Sequence, residues 1–200
     1  MIKKILIGLV VGVVGLGLLI KSGILSGGLR AMESLVRPVL HKEIINRYCG
    51  VYKEDPYFIM SMIKVESNFL RGAKSSRGAL GLMQIMPATA KEISRELKLK
   101  DFKEASLADP ETNIRFGIHY VAKLRRELGD HDLTVLAAYN AGKKNVLEWL
   151  KATGRKELDH NDIEFIETHN FVNDVLRTYT WLKRWQKLRG KVVTKMDKPT

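Results

Sequence analysis

The sequence predicts a mainly α-helical domain preceded by one apolar N-terminal segment. Three observations carry that prediction. From about residue 40 onward apolar residues recur at the i, i+3, i+4, i+7 spacing of amphipathic helices. Two Asp-Pro pairs, Asp55-Pro56 and Asp109-Pro110, set a capping carboxylate ahead of a proline whose fixed φ suits a first helical turn. Strand-type alternation is nearly absent. At 200 residues there is room for one domain plus appendages, and 45% apolar with 28% charged residues is the balance of a chain that buries a core.

At the N-terminus, Lys3 and Lys4 precede an uncharged run from Ile5 to Ile20, closed by Lys21. As a helix this run reaches about 24 Å, slightly short of a ~30 Å hydrocarbon core. Charge followed by an apolar stretch fits either a signal peptide or a signal anchor. Ile24-Leu25-Ser26-Gly27-Gly28 is a poor cleavage site, which favours an uncleaved anchor over residues 1–22. The two lysines would stay cytoplasmic and the rest would be exported. Gly8 and Gly12 form a GxxxG pair, more readily explained as chance in a small-residue span than as a dimer face.

Residues 23–39 read as a connector and 40–188 as the domain. Its first helix is expected from His41 to about Cys49, and Asp55-Pro56 opens the second. The third should run from Pro87 to about Lys98. Behind Asp109-Pro110, Ile114, Ile118, Val121, Leu124 and Leu128 keep near-helical spacing up to a stop at Gly129. Two shorter helices follow, Asp132 to Tyr139 and Asn145 to Thr153, the latter ended by Gly154. A long final helix is expected from Ile166 to about Leu188, with Phe171, Val175, Leu176, Tyr179 and Leu182 on one side. Residues 189–200 read as a basic tail.

Charge and cysteine usage exclude several function classes. Residues 1–50 hold seven Lys/Arg against two Asp/Glu, residues 183–200 hold seven against one, and residues 51–182 hold 20 against 19. The formal charge of +12 therefore sits in the tails, and the nearly neutral centre argues against nucleic acid. Basic tails suit anionic lipid headgroups, an anionic wall polymer or plain solvation. One cysteine, Cys49, excludes an intramolecular disulfide framework and a Cys-cluster zinc site, and reads as a buried small side chain. Metal-protease, P-loop and dinucleotide motifs are absent. His119 reads as a packed histidine, and Trp149, Trp181 and Trp185 as helix-packing residues.

One carboxylate falls on the wrong face. In the helix opened by Asp55-Pro56 the apolar positions are Ile59, Met62 and Ile63, and the next member of that series is Glu66. A core-facing glutamate is costly unless paired or protonated, and desolvation raises a carboxyl pKa toward that of a general acid working near neutral pH. The plainer alternative is a helix-end glutamate that turns to solvent or pairs with Lys64 or Arg71.

Four blocks then appear in order: Glu66-Ser67-Asn68-Phe69; Gly78-Ala79-Leu80-Gly81-Leu82-Met83-Gln84-Ile85-Met86-Pro87; Ala138-Tyr139-Asn140-Ala141-Gly142; and Glu164-Phe165-Ile166-Glu167-Thr168, leading into Phe171-Val172. Together they resemble the catalytic domain of the family 1 lytic transglycosylases, the soluble type with a lysozyme-like fold. The resemblance covers roughly residues 40–185. It implies that Glu66 is the single catalytic acid/base. It implies further that Ser75, Met83, Gln84, Met86, Tyr139, Asn140 and Glu167 contact or line the glycan groove. On spacing alone Met83 and Met86 would instead be core. The last block departs from the family, with Glu164-Phe165 where a proline and an aromatic are usual, His169 in place of an arginine, and Phe171 where tyrosine is common.

The implied substrate is peptidoglycan. Glu66 would protonate the oxygen between N-acetylmuramic acid and N-acetylglucosamine, then take the proton of the muramoyl C6 hydroxyl as that oxygen attacks C1. A 1,6-anhydromuramoyl end results without water, and this implied chemistry needs no metal or organic cofactor. Most glycosidases use two carboxyl groups; here the 2-acetamido carbonyl would stand in for the second. The expected location is the periplasmic face of the inner membrane, or the periplasm or exterior if the leader is cleaved. Two alternatives stay open: a lysozyme-type hydrolase with Glu164 or Glu167 as second carboxylate, and a non-catalytic peptidoglycan-binding accessory protein.

Overall fold

The computed structural model describes the backbone of residues 41–196 and the side chains of 41–188. The apolar run at residues 5–20 and the end of the tail lie outside the described residues. Within them the chain forms α1 (Lys42–Tyr52), α2 (Pro56–Ser67), α3 (Pro87–Glu96), α4 (Pro110–Leu128), α5 (Asp132–Ala141), α6 (Lys143–Thr153) and α7 (Ile166–Met196). Short 3-10 turns cover Glu104–Ala108 and His160–Asp162. Strand pairing among the described residues is limited to two antiparallel bridges, Lys74 with Leu80 and Leu80 with Ile85.

Both Asp-Pro pairs cap helices. The Asp55 carboxylate accepts the Tyr57 N–H at 2.8 Å, and Asp109 accepts the Thr112 N–H at 2.8 Å. Asp55 also accepts the Tyr179 hydroxyl at 2.8 Å and the Lys183 ammonium at 2.9 Å, so the start of α2 is tied to α7. Burial and this carboxylate both push the Tyr179 hydroxyl pKa up.

Helix α4 runs through the core with Ile114, Phe116, Ile118 and Val121 fully buried. It packs against α1 and α5, and α7 lies on α2 and α5. Each such side chain contributes about 1.5–3 kcal/mol through the apolar area removed from water. A buried ion pair closes the α1–α2 turn onto α4: the Arg125 Nε donates to both Glu54 oxygens at 3.3 Å, and the same guanidinium lies 5.3 Å over the Phe58 ring. Asp130 and Asp132 also pair with this guanidinium, at 2.6 and 3.0 Å.

The segment 68–86 between α2 and α3 has almost no regular structure, yet it is firmly fixed. The buried Asn113 of α4 donates to the carbonyls of Leu80 (2.8 Å) and Leu107 (3.0 Å) and accepts the Met83 N–H (2.8 Å). The Ser67 hydroxyl donates to Leu82 O at 2.8 Å. Gly81, at φ +76°, permits this approach: a Cβ there would lie 2.2 Å from the Asn113 amide nitrogen and 2.6 Å from Leu107 O.

Three expectations are corrected. Helix α3 ends at Glu96, because Lys98 turns left-handed at φ 54°. Helix α7 continues eight residues past Leu188, so the expected tail is helical at its start; Gly190 costs only about 1 kcal/mol, and basic residues complement a helix C-terminus. Trp149 packs as expected, 4% exposed and edge-on to Phe165, but Trp181 and Trp185 are 61% and 53% exposed, because they sit on the side of α7 opposite Tyr179 and Lys183. His119 is packed, its Nε2 2.7 Å from Glu96.

Asn113→Ala takes the side-chain partner from the Met83 N–H and Leu107 O and one of two donors from Leu80 O, which keeps the Ile85 N–H, and should destabilise the domain by about 2 kcal/mol or more. Gly81→Ala should act in the same direction through both strain and clash, by at least about 1 kcal/mol. Chemical denaturation of the two variants beside the parent measures both.

Candidate active site

The last turn of α2 presents Glu66 at the edge of the core. Its stripe partners Ile59, Met62 and Ile63 are fully buried, as the spacing requires, and Glu66 itself is partly buried. Among the described residues no donor reaches its carboxyl group. Lys64, the nearest basic residue in sequence, is turned instead to the Asn68 side chain. Burial first, and the charge of Glu167 second, push the Glu66 pKa up to about 8. At neutral pH the group therefore carries a proton and can donate it.

Glu167 enters from the first turn of α7, where an acidic side chain suits the helix dipole. It is exposed, and both its oxygens are taken by Arg77 of the 68–86 segment, at 2.8 and 3.4 Å. This pair joins the segment to α7.

Tyr139 rises from α5 beneath the segment. Its hydroxyl donates to Met83 O at 2.7 Å, and its ring packs 5.5 Å from that of Tyr120. Burial, and then the nearby Glu66 charge, raise the Tyr139 pKa well above the phenol range, so it stays neutral. The next residue, Asn140, accepts the buried Thr168 hydroxyl at 2.7 Å through Oδ1. That bond ties α5 to α7 and leaves the Asn140 amide hydrogens available to a ligand.

Two polar groups in the segment are oriented the same way, by using one function and leaving another. The Ser75 oxygen accepts the Ala79 N–H at 2.9 Å, which leaves its hydroxyl hydrogen free. The Gln84 amide nitrogen donates to Gly81 O at 2.8 Å and Ala73 O at 3.2 Å, which leaves its carbonyl oxygen free. Met86 is 41% exposed at the start of α3.

Met83 differs from the expectation that its side chain lines the groove. It is fully buried, and its sulfur packs so closely on Gly117 that a Cβ there would lie 2.2 Å away. The apolar thioether finds more contact in the core, and Met83 reaches the site through its carbonyl alone. Four residues with site consequences escape sequence reasoning: Ser67, Arg77, Asn113 and Thr168. Asn113 carried a usable signal, a polar residue directly before the buried stripe that begins at Ile114. Arg77, in a loop with no periodicity, carried none. A separate hollow of about 680 Å³ near Asp130, His131 and His160 shares no residue with this site.

The geometry has close counterparts. A soluble lytic murein transglycosylase of Salmonella typhimurium is 33% identical over 143 residues, covering 70% of this chain and 22% of that protein. The crystal structure of the 70 kDa soluble lytic transglycosylase of Escherichia coli superposes with a TM-score of 0.68 at 30% identity, over 73% of this chain and 24% of that one. An inactive glutamate-to-glutamine mutant of the lytic transglycosylase Slt from Pseudomonas aeruginosa gives 0.64 at 31%, over 74% and 24%. The chain thus spans less than a quarter of the length of these relatives. The transglycosylase SLT domain model matches residues 43–161, more than half of the chain and every residue of this site except Glu167 and Thr168, and the protein belongs to that family.

Proposed function

We propose that this protein is a peptidoglycan lytic transglycosylase in which Glu66 acts first as acid and then as base. The observation that carries the reading is a partly buried, unpaired carboxyl group at the end of α2, protonated up to a pH of about 8. The protonated Glu66 donates to the oxygen linking C1 of N-acetylmuramic acid to the next N-acetylglucosamine, and the C1–O bond breaks. The resulting carboxylate accepts the proton of the muramoyl C6 hydroxyl as O6 bonds to C1. One bond breaks, one forms, a proton moves from O6 to the leaving oxygen by way of Glu66, and no water enters.

The remaining groups suit this chemistry. The free Ser75 hydroxyl, the Asn140 amide hydrogens and the Gln84 carbonyl offer donors and acceptor to acetamido and hydroxyl groups. The developing charge at C1 falls to the substrate's own 2-acetamido carbonyl. Glu167 is the nearest alternative source of a second carboxylate, and its engagement by Arg77 favours the single-carboxylate route over a hydrolase. We place the enzyme at the periplasmic face of the inner membrane, held by residues 1–22, with release into the periplasm if that leader is cleaved.

Incubation with isolated peptidoglycan, read by mass spectrometry, should yield fragments with 1,6-anhydromuramoyl ends. Glu66→Gln should lower their rate of release at least about 100-fold. Reducing ends in their place would make the enzyme a hydrolase, and binding without fragments an accessory protein.

The pH profile follows from the same group. Activity requires protonated Glu66, so kcat/KM should be level below the pKa and fall as pH rises through about 8. Glu167→Gln removes a repelling charge and should move this limb to lower pH. Arg77→Gln uncovers that charge and should move it higher, in both cases by less than about one unit for exposed groups. A limb unmoved by either change would remove Glu167 from the electrostatics of the site.

Stability supplies a test independent of turnover. The folded pKa of Glu66 lies above its ordinary value of 4.5, so its contribution is whole below that value and is lost as pH rises toward about 8. Gln has no proton to lose. The stability of Glu66→Gln relative to the parent should therefore grow across this window, to on the order of a few kcal/mol at most. Thermal unfolding at pH 5 and pH 8 measures the difference.

A further inference from the structure

We propose that the outward face of α7 beyond Thr180 is an interfacial helix that docks on an anionic lipid surface. Trp181, Trp185 and Leu188 are 61%, 53% and 56% exposed. Their i, i+4, i+7 spacing puts them in one stripe, which Val192 continues in the sequence. The two indoles stack, 7° apart in plane and 6.4 Å between centroids, and form one continuous apolar patch. Tyr179 and Lys183, on the opposite side of the helix, hold it to Asp55 at the start of α2, so the tryptophan face cannot turn inward.

Charge selects the occupant. No Asp or Glu stands between Asp174 and Asp197, while Lys183, Arg184, Lys187, Arg189, Lys191 and Lys195 do. Arg184 and Lys187 are exposed and make no ion pair among the described residues. Indole rings bracketed by long basic side chains match the boundary between lipid headgroups and acyl chains, where the rings enter and the ammonium and guanidinium groups stay with phosphate. Each basic residue there adds about fivefold in affinity. A neutral sugar platform would leave these charges unused. A second copy of the same helix would bring two positive surfaces together.

The test places the full chain in phosphatidylcholine vesicles with and without phosphatidylglycerol, with bromine on the acyl chains as a quencher of tryptophan fluorescence. Trp149, 4% exposed in the core, serves as the unquenched internal reference. The expected result is quenching and a blue shift only in the phosphatidylglycerol vesicles, both lost in the Trp181→Ser, Trp185→Ser double variant. Arg184→Gln and Lys187→Gln should each lower the docking constant, read from the quenched fraction, about fivefold. All these variants should keep the parent's rate of glycan cleavage. Quenching that ignores phosphatidylglycerol, or none in either vesicle, would overturn the proposal. So would protection of the two indoles by sacculi alone, or by concentration-dependent self-association in detergent.

Discussion

The side chain of Asn113 holds the structure to its function. It sits on α4 with no solvent exposure and satisfies three backbone groups of two different loops. Only a carboxamide supplies two donors and an acceptor at one point. An aspartate there would face two carbonyls with no proton to give, and a leucine of similar volume would take the side-chain partner from all three groups, leaving Leu80 O only the Ile85 N–H. Turns and two bridges pair part of the backbone of the 68–86 segment with itself, and Asn113 supplies the bonds that tie that segment to α4. Gly81 is the matching constraint, since the amide fits only where no side chain stands. Met83 O, fixed by its neighbouring N–H on Asn113, receives the Tyr139 hydroxyl and so transmits the register of α4 to α5.

That scaffold makes an unpaired carboxyl group tolerable. Glu66 projects from the stripe of Ile59, Met62 and Ile63, where a charge has little solvent and no partner. The structure answers by keeping the proton on, with pKa about 8, instead of supplying a cation. Arg77 of the adjoining 68–86 segment pairs instead with Glu167. Had it paired with Glu66, the pKa would have fallen and the acid would have been lost. The assignment of the guanidinium to the exposed carboxylate thus preserves the reactivity of the buried one.

Much of this was legible in the sequence, for physical reasons that can be named. The Asp-Pro starts were visible because capping is local: Asp55 and Asp109 bond to backbone two or three residues away. Glu66 was visible because periodicity reports which face is buried, and a charged residue breaks the pattern. The motif blocks brought Ser75, Gln84, Tyr139 and Asn140 into view only through resemblance, since their orientation depends on partners up to 56 residues away. Met83 was misassigned to the groove because a motif names a residue without saying whether its side chain or its carbonyl matters. Arg77 stayed hidden because an ion pair across 90 residues of sequence leaves no local trace. Trp181 and Trp185 looked like core because tryptophan usually is; nothing in their spacing says whether a neighbouring helix covers them.

The distribution of charge then acquires a meaning that composition alone did not provide. The proposed site residues lie in the stretch whose charges nearly cancel, 20 basic against 19 acidic between residues 51 and 182. A strong positive field over Glu66 would stabilise its carboxylate and lower the pKa that the chemistry requires. Along α7 the basic residues from Lys183 onward stand sixteen or more residues beyond Glu167, about 24 Å of helix, against a Debye length of about 8 Å at physiological salt. Lys183 marks the boundary: Asp55 pairs with it, while Arg184 and Lys187 after it are exposed and make no ion pair among the described residues. One helix thereby serves two electrostatic regimes. Its first turn carries the acidic residue that raises the pKa of Glu66, and its far end carries the cations, about 1.5 Å further from the site with each residue added.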